Sequence, residues 1–391
     1  MAETLLALCL AAILAPLALY PLAVLALGRL HPVLQAPAVA QHPRTTILIA
    51  FTGSSDLLAR KLANLVEVTG SDPVFEVILA CDGPADPEAL AGALVHCGDL
   101  PVSTVSLDRP SGKAYALNRA LQDASGEILV FTDLDAELGH GALDALLRWF
   151  QDPTVGAVCG RRTIRTSKAV AHHGQRTYAD RDSQIKLMEN RLGAITSNDG
   201  KLYALRRDLA RPIHPAATDD LYNLLSVVDQ GYRVLFDPTA EARIPPPAAT
   251  IGHDLARRRR ITVRSLAGIM QRPRLLLTAR FALFGPRFVI NKLLRRLLPF
   301  SLVGCIAALG LLAPNQLWAA AALLLLLAGA IGIGAFALLD RIPLAARLPE
   351  NLRRLWASVF YAALGFLGMG LGVIDFLRGR RISHWTPRKR P

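Results

Sequence analysis

Four long apolar stretches constrain this chain more than any other feature of its sequence. The first comprises residues 4–27, and three more close the chain at residues 297–313, 317–339 and 355–377. A helix rises about 1.5 Å per residue, so about 20 apolar residues cross a ~30 Å hydrocarbon core. We therefore expect a membrane protein with a globular domain between the first stretch and the other three.

The first stretch has two interpretations. Small residues at positions 38–40 favour a cleaved signal peptide, whereas Glu3, the lack of an N-terminal Lys or Arg and the long apolar core favour a retained anchor over residues 1–30. Arg29 and Arg44 follow the span, and residues 1–3 carry no basic side chain. The positive-inside rule then predicts that the globular domain is cytosolic. We expect the protein to be integral to the plasma membrane.

The C-terminal stretches predict a membrane region over residues 297–377 and a basic tail over residues 378–391. Residues 340–354 and the tail are both rich in arginine, and one intervening span cannot keep both on the same side. Two solutions stay open. Either a basic segment is translocated, or one stretch is re-entrant, with its bend at Gly365, Gly368, Gly370 and Gly372.

Residues 256–296 carry almost all of the excess positive charge. They contain 12 Lys and Arg residues and no Asp or Glu, whereas the whole chain has a net charge of +13. Such a local concentration argues against a general nucleic-acid-binding surface. Because aromatic and aliphatic residues accompany the cations, we expect basic interfacial helices over residues 251–296, in contact with anionic lipid headgroups.

Residues 41–250 alternate strand and helix patterns. Short β-branched runs at residues 45–51, 74–80, 101–107 and 127–132 are separated by segments of helical period. This alternation predicts an α/β domain with a Rossmann-like, mostly parallel sheet, inserted between the N-terminal and C-terminal membrane helices. Ligands of such sheets bind beyond the carboxyl ends of the strands.

Acidic residues stand at those strand ends. Asp82 follows one strand directly, and Asp133 and Asp135 follow another, so we expect all three to face one crevice. A carboxylate pair there suits Mg2+, which completes its shell with water and substrate phosphates; ordinary turn aspartates are the alternative. Gly112 and Lys113 begin a predicted helix, where free N–H groups and a cation favour phosphate or a carboxylate partner.

The order of these motifs resembles the family 2 glycosyltransferases with a GT-A fold, especially membrane-embedded relatives of cellulose, chitin and hyaluronan synthases. The resemblance covers residues 45 to about 265 and the flanking membrane helices. It implies that Asp82 binds the nucleobase and that Gly112 and Lys113 lie beside the nucleotide. It also implies that Asp133 and Asp135 hold a diphosphate through Mg2+ or Mn2+.

Two further segments belong to the resemblance. ATDDLYNLL at residues 217–225 is similar to the family's TED or GDD motif, which implies that Asp220 is the catalytic base and that transfer inverts the anomeric carbon. RRRRI at residues 257–261 is similar to the (Q/R)xxRW motif, which implies that Arg257 and Arg260 contact the pyrophosphate. Ile261 replaces the family's Trp, and this departure argues against long-chain processive synthesis.

We therefore expect an inverting, metal-dependent hexosyltransferase. It would move one or a few sugars from a UDP- or GDP-linked donor to a lipid or glycan acceptor in glycolipid or polysaccharide biosynthesis. Two alternatives stay open: a processive polysaccharide synthase with coupled export, and a non-catalytic membrane scaffold that binds nucleotide sugars.

Overall fold

The computed structural model places an α/β domain between helices from both ends of the chain. It describes residues 1–38, 41–53, 55–164, 171–245, 251–339 and 350–380. Residues 340–349 of the arginine-rich segment 340–354, and residues 381–391 of the predicted basic tail, lie outside the described residues.

The N-terminal stretch forms one continuous helical rod. α1 (Ala2–Leu14) passes through a π-helical segment (Ala15–Leu19) into α2 (Tyr20–Arg29). Pro16 stands in the π segment, where its missing N–H removes a hydrogen bond of the regular helix. The hydroxyl of Tyr20 donates to the buried Glu189, so the rod's C-terminal part is anchored to the α/β domain.

One eight-stranded mixed sheet forms the centre of the α/β domain. In order across the sheet its strands are β3-β2-β1-β4-β7-β6-β8-β5. The strands are β1 (Thr45–Phe51), β2 (Phe75–Cys81), β3 (Val102–Ser106), β4 (Ile128–Asp133), β5 (Glu137–Leu138), β6 (Val155–Ile164), β7 (Leu202–Arg206) and β8 (Arg233–Ile244). Strands β3, β2, β1 and β4 are parallel, as the sequence predicted, whereas β7 pairs antiparallel with both β4 and β6.

Helices cover both faces of this sheet. They are α3 (Ser55–Thr69), α4 (Pro87–Leu94), α5 (Lys113–Asp123), α6 (Ala142–Leu147), α7 (Ala171–Arg191) and α8 (Asp219–Asp229). On β1, Ile47 and Ile49 enter one apolar cluster and Leu48 and Ala50 enter the other. The strand is therefore buried on both sides, which explains its uninterrupted apolar sequence.

The C-terminal region is helical. It consists of α9 (Ile251–Met270), α10 (Arg280–Phe288), a π-helical segment (Val289–Leu294), α11 (Arg295–Leu312), α12 (Leu317–Leu339) and α13 (Glu350–Leu377). Four helical segments of the described chain are long and apolar enough to cross a membrane: Ala2–Arg29, Arg280–Leu312, Leu317–Gly334 and Val359–Leu377. They correspond to the four stretches identified in the sequence.

The glycines of α13 do not form a bend, so the re-entrant bend predicted at these residues is wrong. α13 continues without a break through all of them. A Cβ atom at Gly372 would lie 2.6 Å from Cβ of Thr262, and one at Gly368 would lie 2.7 Å from Cβ of Arg258. These glycines therefore let α13 approach α9 closely, as small residues do between membrane helices.

Part of the predicted interfacial segment, residues 251–296, is buried against the α/β domain. Phe284 and Phe288 of α10 are fully buried in the domain core, and the Arg287 guanidinium donates to the carbonyl of Ala194. Apolar periodicity shows only that a face avoids water, so it could not distinguish a protein core from lipid. This part of the segment packs on the α/β domain.

Arginines 257–259, which follow one another on α9, are likewise held by protein. Arg257 and Arg258 pair with Asp254, and Arg259 pairs with Asp375 of α13 at 2.6 Å. Contact of Arg258 and Arg259 with anionic lipid headgroups stays a prediction. Asp254 on the same helix and Asp375 on α13 supply the counter-charge.

Candidate active site

The carboxyl ends of β2 and β4 bring Asp82 and Asp133 to the same edge of the sheet. Both strands flank β1, where Ala50 is in register with Ala80 and with Asp133. Oδ1 of Asp82 accepts the N–H groups of Ser111 (2.7 Å) and Gly112 (2.8 Å). Asp82 thus fixes the loop that starts α5.

The conformation of that loop depends on glycine. Gly112 has φ 110°, a value that side chains disfavour, and it directly precedes the first helical residue, Lys113. Asp82 and Gly112 together determine where the ammonium group of Lys113 enters the crevice.

Three aspartates and two lysines form a continuous chain of ion pairs in the crevice. Lys113 Nζ lies 2.8 Å from Asp133 Oδ1 and 2.9 Å from Asp219 Oδ2. Lys201 Nζ lies 2.8 Å from both Asp133 Oδ2 and Asp135 Oδ1. Each oxygen of Asp133 therefore faces a different ammonium group.

The alternation of charge keeps Asp133 and Lys113 ionised despite their burial. Burial disfavours a charged Asp133, but Lys113 and Lys201 outweigh it and hold the pKa of this carboxyl well below its usual range. Burial also opposes the charge on Lys113, yet Asp133 and Asp219 raise its pKa above the usual value. Asp133 and Lys113 therefore stay charged although both are largely buried.

Asp220 lies beside this chain at the first turn of α8. A Cβ atom at Gly200 would lie 2.9 Å from Asp220 Oδ2, so the segment that leads to Lys201 passes against this carboxylate. Burial, and next the charge of Asp219, raise the pKa of Asp220. The pKa of Asp220 is therefore higher than that of an ordinary aspartate, a property expected of a general base.

Arg264 positions the loop before α8. Its Nε and Nη2 donate to the carbonyl of Ala217 at 3.1 and 2.5 Å. The guanidinium is buried and lies near Asp219 and Asp220, whose charges oppose the lowering of its pKa by burial. Arg264 thereby connects helix α9 to the loop that leads to Asp219 and Asp220.

Arg257 and Arg260 are placed differently from each other. The pKa of Arg260 is lowered by burial and by Arg264 and Arg257, and the charge of Asp133 opposes this shift, so Arg260 lies within electrostatic range of the crevice. Arg257 forms its ion pair with Asp254, at 2.9 Å. Of the two arginines proposed from the sequence, Arg260 is the one whose pKa is affected by the charge of Asp133.

Sequence reasoning missed four residues of the site: Lys61, Lys201, Asp219 as a partner of Lys113, and Arg264. Lys61 is buried beneath the Asp133 turn, and its Nζ donates to Thr132 Oγ1 (3.0 Å) and to the Ala136 carbonyl (2.5 Å). Burial lowers the pKa of Lys61 to about 7. The sequence contained one signal for a buried lysine: Lys61 stands on the apolar face of α3, between Leu58 and Leu62.

The aspartate pair fits a hard divalent cation. The ammonium of Lys201 is a cation that touches one oxygen of each carboxylate, so Asp133 and Asp135 converge on a single cationic position. Within the described residues, no cluster of three or more His, Cys, Asp or Glu adds to this pair. Two carboxylates are a typical protein contribution to a Mg2+ site whose other ligands are phosphates and waters.

The chain carries a family 2 glycosyltransferase domain. The family model described as "Glycosyl transferase family 2" matches residues 46–213, which include β1 to β4, the Asp133–Asp135 pair and Lys201. This match confirms the family inferred from the motifs.

Two curated relatives are similar to this chain. A beta-monoglucosyldiacylglycerol synthase from Trichormus variabilis is 29% identical over 168 residues, which are 42% of this chain and 36% of that protein. A poly-beta-1,6-N-acetyl-D-glucosamine synthase from Staphylococcus aureus is 26% identical over 202 residues, 50% of this chain and 48% of that protein. The chain therefore aligns with between a third and a half of each relative.

One solved structure shares the whole architecture. A mannosyltransferase from Pyrobaculum calidifontis, in complex with GDP-Man and Mn2+, superposes with a TM-score of 0.72 at 24% identity, covering 97% of this chain and 100% of that one. This similarity confirms the GT-A-like fold, including the helices at both ends.

Proposed function

We propose that this protein is an inverting glycosyltransferase that moves a sugar from a nucleotide-diphosphate sugar to a membrane-associated lipid or glycan acceptor. The ion-pair chain from Asp135 to Asp219, placed at the strand ends beside Asp220, carries the proposal. It combines a cation site, cationic groups for phosphate and a carboxylate with a raised pKa in one crevice.

The donor would bind along the edge formed by Asp82, Gly112 and Lys113. Asp82 already orders the loop through Oδ1, so Oδ2 is the oxygen proposed to accept from a nucleobase N–H. Lys113 and Arg260 would face the diphosphate. That the similar mannosyltransferase structure contains GDP-Man and Mn2+ supports a nucleotide-sugar donor and a metal.

Asp133 and Asp135 would hold the divalent ion, Mg2+ or Mn2+. Such an ion stabilises the negative charge that develops on the departing nucleoside diphosphate. The protein's own contribution is the convergence of the two carboxylates and the neighbouring ammonium groups.

Asp220 is the proposed base. Its carboxylate would take the proton from the acceptor hydroxyl while that oxygen forms a bond to the anomeric carbon and the bond to the diphosphate breaks. A single displacement of this kind inverts the configuration, by analogy with inverting glycosidases. Arg264 would act indirectly, by fixing the loop that precedes Asp220.

The acceptor is proposed to arrive from the membrane, because candidate spans flank the domain on both sides. We propose a cytosolic orientation from the charge distribution around the first span. One relative is a glycolipid synthase and another a polysaccharide synthase, so both acceptor classes are represented among similar proteins.

Asp220→Asn tests the proposal. We expect sugar transfer to fall by at least about a hundredfold, because a positioned base contributes roughly 10²–10⁴-fold, while donor nucleotide binding persists. Asp229→Asn is the matched control, since Asp229 ends the same helix and pairs with Arg272. Near-normal turnover in Asp220→Asn would remove this residue from the mechanism.

A processive polysaccharide synthase is the second candidate, and the similarity to the poly-N-acetylglucosamine synthase supports it. Ile261 argues against processive synthesis. It is a partly exposed aliphatic residue at the position where the family has a Trp that stacks on the acceptor sugar. Product length on a gel separates the two: one or a few added sugars favour the first proposal, and long chains the second.

A scaffold would bind nucleotide sugar without turnover at any metal concentration.

A further inference from the structure

Lys201 occupies the position at which the carboxylates of Asp133 and Asp135 converge. Its Nζ contacts Asp133 Oδ2 and Asp135 Oδ1, both at 2.8 Å. Its backbone is also fixed, because the Lys201 carbonyl accepts from Thr132 Oγ1 at 3.0 Å at the end of β4. The ammonium group is thus a built-in cation, attached next to the strand that carries the carboxylates.

A divalent ion and this ammonium group cannot share the same oxygens. Like charges at contact distance repel strongly in a partly buried site. Asp133 Oδ1 is already paired with Lys113, and the buried Lys61 adds a further basic group beneath the turn. Metal binding in the absence of a donor would therefore displace Lys201 from both of its carboxylate partners.

The donor changes this balance because its diphosphate brings new anionic oxygens. An ammonium group that leaves Asp133 and Asp135 can then pair with phosphate, so the displaced charge regains a partner. The divalent ion and the donor would each lower the free-energy cost of binding the other, so they bind cooperatively. The coupling is reciprocal, because each ligand raises the affinity for the other by the same factor.

We propose that Lys201 is a competing internal cation that couples metal binding to donor binding. The divalent ion binds weakly to the protein alone and tightly once a nucleoside diphosphate is present. This inference rests on the proposed function, since it requires that the Asp133–Asp135 pair binds the metal.

The test measures Mn2+ binding directly. Free Mn2+ is quantified by electron paramagnetic resonance with the full-length protein in detergent, first alone and then with saturating UDP or GDP. We expect Lys201→Met to bind Mn2+ at least about tenfold more tightly than wild type without nucleotide, and the gain on adding nucleotide to shrink by a similar factor. Lys201→Arg keeps the cation and is expected to behave like wild type.

Two further measurements keep the test decisive. Thermal unfolding shows whether Lys201→Met is folded, and Asp135→Asn in the Lys201→Met background locates the bound ion, because it should abolish the added affinity. If wild type binds Mn2+ but Lys201→Met binds it no more tightly, Lys201 does not compete. If no variant binds Mn2+ with or without nucleotide, the proposed metal site fails as well.

Discussion

The ammonium group of Lys113 lies 2.9 Å from Oδ2 of Asp219 and joins the N-termini of two helices that are distant in sequence. One is α5, whose preceding loop is ordered by Asp82, and the other is α8, which carries Asp220. The proposed donor side and the proposed base are therefore connected by one ion pair. We therefore expect a substitution on the donor side to affect the proposed base, and a substitution near the base to affect donor binding.

Lys113→Met should weaken donor binding. Loss of a charged hydrogen-bond partner costs about 1.5–3 kcal/mol, so the KM for the nucleotide sugar should rise by roughly ten- to a hundredfold. Initial-rate kinetics measure the change. Arg119→Ala is the control on the same helix, because Arg119 is exposed and pairs only with Asp123 among the described residues. An unchanged KM in Lys113→Met would contradict the proposed donor side.

Asp219→Asn should move the pH profile. Transfer requires an ionised Asp220, whose pKa is raised by burial and by the charge of Asp219, while Lys113 opposes the shift. Wild-type kcat/KM should therefore fall, on acidification, at a higher pH than an ordinary aspartate would give. Removing the Asp219 charge lowers the pKa of Asp220, so the acid limb should move to lower pH. A limb that stays in place would show that another group controls it.

Arg264→Ala should slow the transfer more than it weakens donor binding. Without its bonds to the Ala217 carbonyl, the loop before Asp220 loses its anchor, and a misplaced base costs on the order of ten- to a hundredfold in kcat. Steady-state kinetics and nucleotide binding separate the two effects. Arg272→Ala serves for comparison, since Arg272 contacts the opposite end of α8 through Asp229.

Lys61 should make stability depend on pH above neutrality. Its pKa of about 7 in the folded protein lies below the ordinary lysine value of about 10.4. Between these values the unfolded chain binds a proton that the folded chain does not, so the free energy of unfolding should rise with pH. Lys61→Met removes this contribution. Unfolding temperatures at pH 7 and pH 9 should differ less in the variant than in wild type.

Much of the fold could be predicted from local patterns. The four parallel strands, the helices between them and the four apolar helices follow from periodicity and length, which are properties of neighbouring residues. The antiparallel strand β7 could not be predicted, because its pairing with β4 and β6 depends on contacts between distant segments. The same limit explains why α10 was expected at the lipid surface.

The amino-acid sequence by itself determined which acidic residues stand at the strand ends, and hence that Asp82, Asp133 and Asp135 would share one edge of a sheet. Only the tertiary structure determined which cationic side chains pair with these aspartates. Lys113 and Lys201 come from separate segments yet pair with the same aspartate, Asp133, and ion pairs of this kind leave no periodic signal. Electrostatic partners are chosen by distance in space, and that distance exists only after the chain has folded.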